Sequence, residues 1–167
     1  MTETLSSDIP IDIEAAVARS LRRACDAELT LATAESCTGG LLASLLTDVE
    51  GCSHAFERGF VVYTEAAKTE LLGVPPEMLE AHTAVSEPVA RAMAEGALAQ
   101  SRADIVLAVT GYAGPTEEGE EGLVHFACAR RGRATIHCEA HYGAVGRGAV
   151  RIECLRTALE MIEERLD

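Results

Sequence analysis

From Ile11 onward the chain switches repeatedly between two apolar spacings, and the switching lays out the elements. Ile13, Ala16, Val17, Leu21 and Cys25 recur at helical intervals in IDIEAAVARSLRRACDA (11–27), which predicts an amphipathic first helix. LTLATA (29–34) is a short apolar, β-branched run and predicts a strand. GGLLASLLTDV, from Gly39, has a helical pattern and opens on two glycines that let a ligand approach the backbone. RGFVVYT (58–64) predicts a second strand, and TEAAKTELLG (64–73) a helix with Thr64 as N-cap and Gly73 as its stop. VPPEMLEAH supplies a turn and a short helix. Ser86 is then placed to cap a long helix, EPVARAMAEGALAQSR, with Pro88 tolerated in its first turn. DIVLAVTG (104–111) is a continuous apolar run of the kind covered on both faces. After the loop YAGPTEEGEEG, GLVHFACAR (122–130) and RATIHCEAHY (133–142) predict a hairpin, and a last amphipathic helix runs from about Arg147 to Leu166.

Strands alternating with helices, followed by a hairpin, define an α/β class: a single-domain α/β/α sandwich with a mostly parallel sheet plus an antiparallel hairpin. The domain is expected over residues 10–167, with residues 1–9 disordered. A length of 167 residues fits one such unit.

Charge and composition narrow the function classes. With 14 Lys+Arg against 27 Asp+Glu, the net charge is −13, and no basic stripe beyond the short RRGR (130–133) offers a path for a phosphate backbone, so nucleic acid is not an expected partner. No apolar run approaches the length of a membrane span, and the polar, acidic start is unlike a signal segment. A soluble cytoplasmic protein is the reading, and its six cysteines, none in a CxxC pair, are expected as reduced thiols. Apolar surface on the hairpin and last helix is compatible with a homo-oligomer. His137, Cys138 and His141 do not make a metal site, because on a strand 137 and 141 share one face while 138 points to the other. Neither a metal nor a cofactor is expected.

Ligands of α/β sheets gather beyond the carboxyl ends of parallel strands. Three such ends are polar or glycine-rich: AESCTGG, YTEAAK and VTGYAGP. Lys68 lies one turn past Thr64, and helical side chains lean toward the N-terminus, which returns its amine toward Tyr63 and the strand end. The helix start and desolvation both favour its neutral form, which can take a proton from a serine. On that logic Ser36 is the nucleophile, Lys68 the base, and Tyr63 a relay or orienter. Backbone N–H groups from Cys37 to Gly40 are candidates for holding an oxyanion or a phosphate. Cys37 is a rival nucleophile without a nearby histidine and reads as a packing residue, Thr38 as a cap or ligand contact, and Glu35 as a group that fixes the bend or meets substrate.

TAESCTGG, FERGFVVYTEAAKTELLGV, HTAVSEPVARAMAEGAL and SRADIVLAVTGYAGP, taken in order, resemble the CinA C-terminal domain family, whose enzymatic members are nicotinamide-nucleotide amidases. The resemblance runs over roughly Leu31 to Pro115, with a weaker continuation. It implies hydrolysis of the carboxamide of nicotinamide mononucleotide to nicotinic acid mononucleotide and ammonia without a metal, a step of pyridine nucleotide salvage. It places the family's Ser/Lys dyad on Ser36 and Lys68, its tyrosine on Tyr63, and a substrate or oxyanion contact on Thr110 beside Gly111. Substrate contacts are further expected at Glu35, Cys37, Thr38, Gly39 and Gly40. The family is often fused behind a larger N-terminal partner, and this chain is expected to be a stand-alone form.

Two departures stand out. The loop after AGP is short and acidic, TEEGEEG, where relatives carry a longer glycine-rich segment. The GDR-like turn is replaced by Val145, Gly146 and Arg147, which keeps Arg147 and Arg151 as phosphate partners but loses the acid. They leave open a noncatalytic nucleotide-binding or regulatory module, or an amidase with a changed substrate.

Overall fold

The computed structural model describes residues 8–167, so most of the segment expected to be disordered, residues 1–7, lies outside it. The chain runs α1 (Ile11–Asp26), β1 (Leu31–Glu35), α2 (Leu41–Leu45), β2 (Phe56–Val61), α3 (Glu65–Leu72), α4 (Pro76–His82), α5 (Glu87–Ala99), β3 (Ile105–Gly111), β4 (Leu123–Arg130), β5 (Ile136–His141) and α6 (Arg147–Leu166). One five-stranded sheet has the order β2-β1-β3-β4-β5. β1 pairs in parallel with both β2 and β3, while β4 and β5 continue the sheet antiparallel. Among the described residues no helix is long and apolar enough to cross a membrane.

Two cores sandwich the sheet, because successive strand residues face opposite sides. Leu31, Ile105, Leu107, Val109, Phe126 and Cys128 pack on the side of α1, α2 and α6. The other side is lined by small residues, Ala32, Ala34, Ala108, Ala127 and Ala129, against Ala90, Met93, Ala94 and Ala97 of α5. Small side chains on both surfaces bring α5 close to the sheet. α5 in turn carries α3, and with it Lys68.

Helix ends follow their expected chemistry where local side chains decide them. Thr64 Oγ1 accepts the Ala67 N–H at 3.1 Å, and Gly73 closes α3 in the left-handed region. Ser86 is the N-cap residue of α5, but its hydroxyl donates to the Thr83 carbonyl instead of accepting a helix N–H. The helix predicted from Gly39 is much shorter than its apolar pattern. Gly39 and Gly40 sit at φ +61° and +94°, outside right-handed helix, and α2 ends within two turns. β2 starts and ends earlier than RGFVVYT suggests, since past Val61 the backbone is drawn toward Lys68.

The fit of α3 against α5 depends on Gly96. A Cβ there would lie 1.9 Å from the Leu72 carbonyl oxygen, a backbone atom at the end of α3. Gly96→Ala is therefore expected to destabilise the protein by about 1–3 kcal/mol through overpacking. Urea denaturation measures it; an unchanged midpoint would mean that α3 shifts without cost.

Candidate active site

The carboxyl ends of β1, β2 and β3 form one rim, because the three strands are parallel neighbours. Ser36 leaves the end of β1, and its N–H donates to the Val109 carbonyl on β3 at 3.0 Å. The bend after it is organised by Glu35, which is fully buried. One carboxylate oxygen of Glu35 accepts from Thr38 Oγ1 (2.6 Å) and from the N–H groups of Gly40 (3.2 Å) and Leu42 (3.1 Å), and the other accepts from Ala43 N–H (2.8 Å). A buried carboxylate is tolerated where several donors converge on it, and these come from the turn it shapes.

That turn leaves two donors over. Gly39 N–H bonds the Ser36 carbonyl and Leu41 N–H the Thr38 carbonyl. Among the described residues the N–H groups of Cys37 and Thr38 donate to no oxygen. They directly follow the serine.

Lys68 arrives from α3. Its side chain is only 1% exposed, and Nζ lies 3.0 Å from Ser36 Oγ, 3.0 Å from the Val62 carbonyl oxygen and 3.3 Å from that of Tyr63. Burial is the main cause that pulls the Lys68 pKa below the ordinary lysine value, opposed by the neighbouring Cys37 and Glu65 side chains. A neutral amine has two N–H groups and one lone pair. The two carbonyls match the N–H groups, and Ser36 stands at the third direction.

The other expected site residues divide by what their side chains touch. Thr110 is buried, with its hydroxyl donating to the Ala84 carbonyl at 2.9 Å. Gly111 is demanded by its neighbour strand, since a Cβ would lie 2.7 Å from Val124 Cγ2. Arg151 Nε donates to the Cys37 carbonyl at 2.9 Å, and Arg147 lies over Gly114, so both arginines come to the rim from α6. Cys37 turns its thiol into the core.

Tyr63 meets Lys68 through its backbone. Its residue is 66% exposed and its phenol has no partner among the described residues; what reaches Lys68 is its backbone carbonyl. The strand ends at Val61, and the Tyr63 ring beyond it faces solvent. The Val62 and Ala84 carbonyls carried no signal in the sequence, because a backbone acceptor is the same for every residue type. His141 bonds Glu120 of the acidic loop and Glu139, away from any metal geometry, and among the described residues no cluster could hold a metal ion. A cavity of about 390 Å3 between α1 and the segment after α2, lined by Glu14, Arg22 and Asp48, holds neither nucleophile nor base.

Comparison with known proteins gives the family of the chain. The family model for the CinA C-terminal domain matches residues 12–166. The nicotinamide-nucleotide amidohydrolase PncC of Escherichia coli K12 is 46% identical over 137 residues, which cover 80% of this chain and 82% of that protein. A CinA-like protein of Syntrophus aciditrophicus is 46% identical over 157 residues, 92% of this chain but 36% of its own length. The chain spans 25–37% of the length of the first seven curated relatives it matches. The crystal structure of the competence/damage inducible protein CihA from Agrobacterium tumefaciens superposes with a TM-score of 0.91 at 45% identity, covering 95% of this chain and 98% of that one.

Because Glu35 satisfies four donors at once, Glu35→Gln is expected to cost about 2–3 kcal/mol, the amide nitrogen facing N–H groups that need an acceptor. Chemical denaturation reads the loss. A variant as stable as the parent would show that the turn holds without the carboxylate.

Proposed function

The chain belongs to the CinA C-terminal domain family, and from that premise we propose that it is an amidohydrolase that cleaves the carboxamide of nicotinamide mononucleotide through Ser36 and Lys68. The observation that carries the reading is the 3.0 Å approach of a buried Lys68 amine to the Ser36 hydroxyl. The name of the Escherichia coli relative supports the substrate. Arg147 and Arg151 at the rim support a phosphate-bearing one, since guanidinium groups suit phosphate oxygens.

In this mechanism Ser36 Oγ attacks the carboxamide carbon while its proton passes to Lys68 Nζ. The carbonyl oxygen becomes an oxyanion held by the spare N–H groups of Cys37 and Thr38. Lys68, now an ammonium, returns the proton to the departing nitrogen, and ammonia leaves an ester on Ser36. Water, activated by the same amine, releases the acid. The three oxygens around Nζ serve both states of the lysine: an ammonium donates to all three, and a neutral amine donates to two and accepts from the third. Proton transfer therefore needs no side-chain rearrangement.

The acidic loop favours a second reading of the substrate. Glu117, Glu118, Glu120 and Glu121 carry charge that repels a phosphate, although Glu120 is drawn to His141. An amide without the phosphate is the alternative, and a noncatalytic nucleotide-binding module is the limiting case. Comparing nicotinamide mononucleotide with its nucleoside separates these: turnover of the nucleotide alone supports the first reading, turnover of the nucleoside the second, and binding without ammonia release the module.

Ser36→Ala is expected to lower ammonia release by at least about 10³-fold, and Lys68→Ala by about 10²–10⁴-fold. Activity is expected to survive chelator. If Ser36→Ala kept full activity, the acyl-enzyme route would be wrong.

The base must be neutral, so the rate is expected to fall as pH drops through the Lys68 pKa, which lies below the ordinary 10.5. A kcat profile whose fall toward acid pH disappears in Lys68→Ala checks the assignment. A limb unchanged in that variant would move the base elsewhere.

A further inference from the structure

Two strands along the rim from Ser36, the face of the hairpin under α5 carries a pair of stacked imidazoles that the hydrolysis leaves unused. His125 of β4 stands opposite Thr110 of β3 and Glu139 of β5, and it faces α5 as Ala127 does two residues on. His137 of β5 lies diagonal to it on the same face. His125 Nδ1 and His137 Nε2 are 2.9 Å apart, with ring centroids at 5.2 Å and an interplanar angle of 25°. The side chains are 8% and 12% exposed. Carboxylates stand at the outer nitrogens: Glu139 Oε2 lies 3.9 Å from His125 Nε2, and Glu87 Oε2, from the first turn of α5, lies 3.6 Å from His137 Nδ1.

We propose that His125 and His137 form an acid-operated clamp, which joins the hairpin to the start of α5 until a second proton enters the pair and parts the rings. A 2.9 Å contact between imidazole nitrogens needs an N–H on one ring and a lone pair on the other. One ring can become imidazolium while the contact lasts, and its partner must stay neutral. With both charged, two N–H groups face each other in a site nearly closed to water. Each imidazolium is then drawn to its own carboxylate, His125 to Glu139 and His137 to Glu87, so the strain passes to the first turn of α5. Glu87 comes three residues after Ala84, whose carbonyl accepts the Thr110 hydroxyl at 2.9 Å. Clamp and rim share that short segment.

The groups around the pair come from every element packed on it. On β5, Glu139 Oε1 lies 2.8 Å from His141 Nε2, and His141 Nδ1 lies 3.0 Å from Glu120 Oε1 of the acidic loop. A carboxylate at each nitrogen holds His141 above the usual histidine range, so Glu139 is shared between two rings. On α5, Arg91 Nε donates to Glu87 Oε1 at 2.7 Å, and its charge disfavours a cation at His137. Glu160 and Glu164 of α6 line the groove that opens beside His137. Burial is the first cause that holds both clamp histidines below their ordinary value, with Glu139 and Glu87 opposing it. A histidine lowered by folding contributes stability that is complete above the unfolded value of about 6.5 and is lost as pH falls below it. His141 has the opposite sign, but it is half exposed and its charge is screened.

The test titrates the intact protein, labelled in its histidine rings, by NMR from about pH 8 to about pH 4, with amide hydrogen exchange measured alongside. The expected result is two separate steps for the pair, both below about 6.5, as coupled sites require. At the second step the Ala90 N–H, which closes the first turn of α5 on the Ser86 carbonyl, is expected to lose protection by at least about tenfold relative to the β3 amides. In His137→Gln the amide oxygen accepts from His125 in either of its protonation states, so His125 is expected to titrate in one step while Ala90 keeps its protection. The proposal is overturned if the two rings titrate together at the ordinary histidine value, if Ala90 stays as protected as β3 through the second step, or if folded His137→Gln loses that protection at the same pH as the parent. Should His137→Gln fail to fold, the titration of the parent protein decides. Neither readout involves turnover, so the result stands apart from the amidase assay.

Discussion

The rim of this sheet takes its shape from the way Glu35 is satisfied. A carboxylate with no solvent contact needs donors, and the ones within reach are the Thr38 hydroxyl and the N–H groups of Gly40, Leu42 and Ala43. Drawing them onto one side chain folds residues 36–43 back over the end of β1. The bend takes positive φ at Gly39 and Gly40, where a side chain would be strained and glycine is not. The bend lifts Ser36 to the rim and leaves the next two N–H groups without oxygens. Everything proposed for the chemistry rests on that posture.

The second constraint is the burial of Lys68. Placing an amine where it is 1% exposed favours the uncharged form, and the cost is moderated by the Val62 and Tyr63 carbonyls that β2 leaves open as it ends. The amine reaches that position because α3 is pressed onto α5 at Gly96, and α5 onto an alanine-lined sheet face. A close helix packing away from Ser36 thus supports the helix that carries Lys68. The other sheet face acts on the same turn through α6, whose Arg151 holds the Cys37 carbonyl. The reactive bend is thus clamped from both layers of the sandwich.

Much of the layout was legible in the chain because the two apolar periods are unambiguous over long segments. α1, α3, α5 and α6 and the run IVLAVTG of β3 fall where their spacing puts them. Thr64 and Gly73 bound α3 because capping is local chemistry. The failures are local patterns overruled by contacts distant in sequence. The apolar spacing of GGLLASLLTDV predicts a longer helix than the five residues of α2. Tyr63 reads as part of the β2 strand, but the chain has already left the sheet there, and its ring faces solvent.

By itself the sequence determined the α/β class and pointed to three polar or glycine-rich strand ends and to Ser36 and Lys68 as a candidate pair, since element type follows from periodicity and helix lean from backbone geometry. The strand order that brings those ends together came from the tertiary structure. Only the tertiary structure decided which atoms surround the reacting pair: the carbonyls of Val62 and Tyr63, the spare N–H groups of Cys37 and Thr38, and Arg151 against the Cys37 carbonyl. Backbone groups are identical at every position, and a contact across 114 residues has no periodicity to betray it. Such contacts exist only once both faces of the sheet are packed.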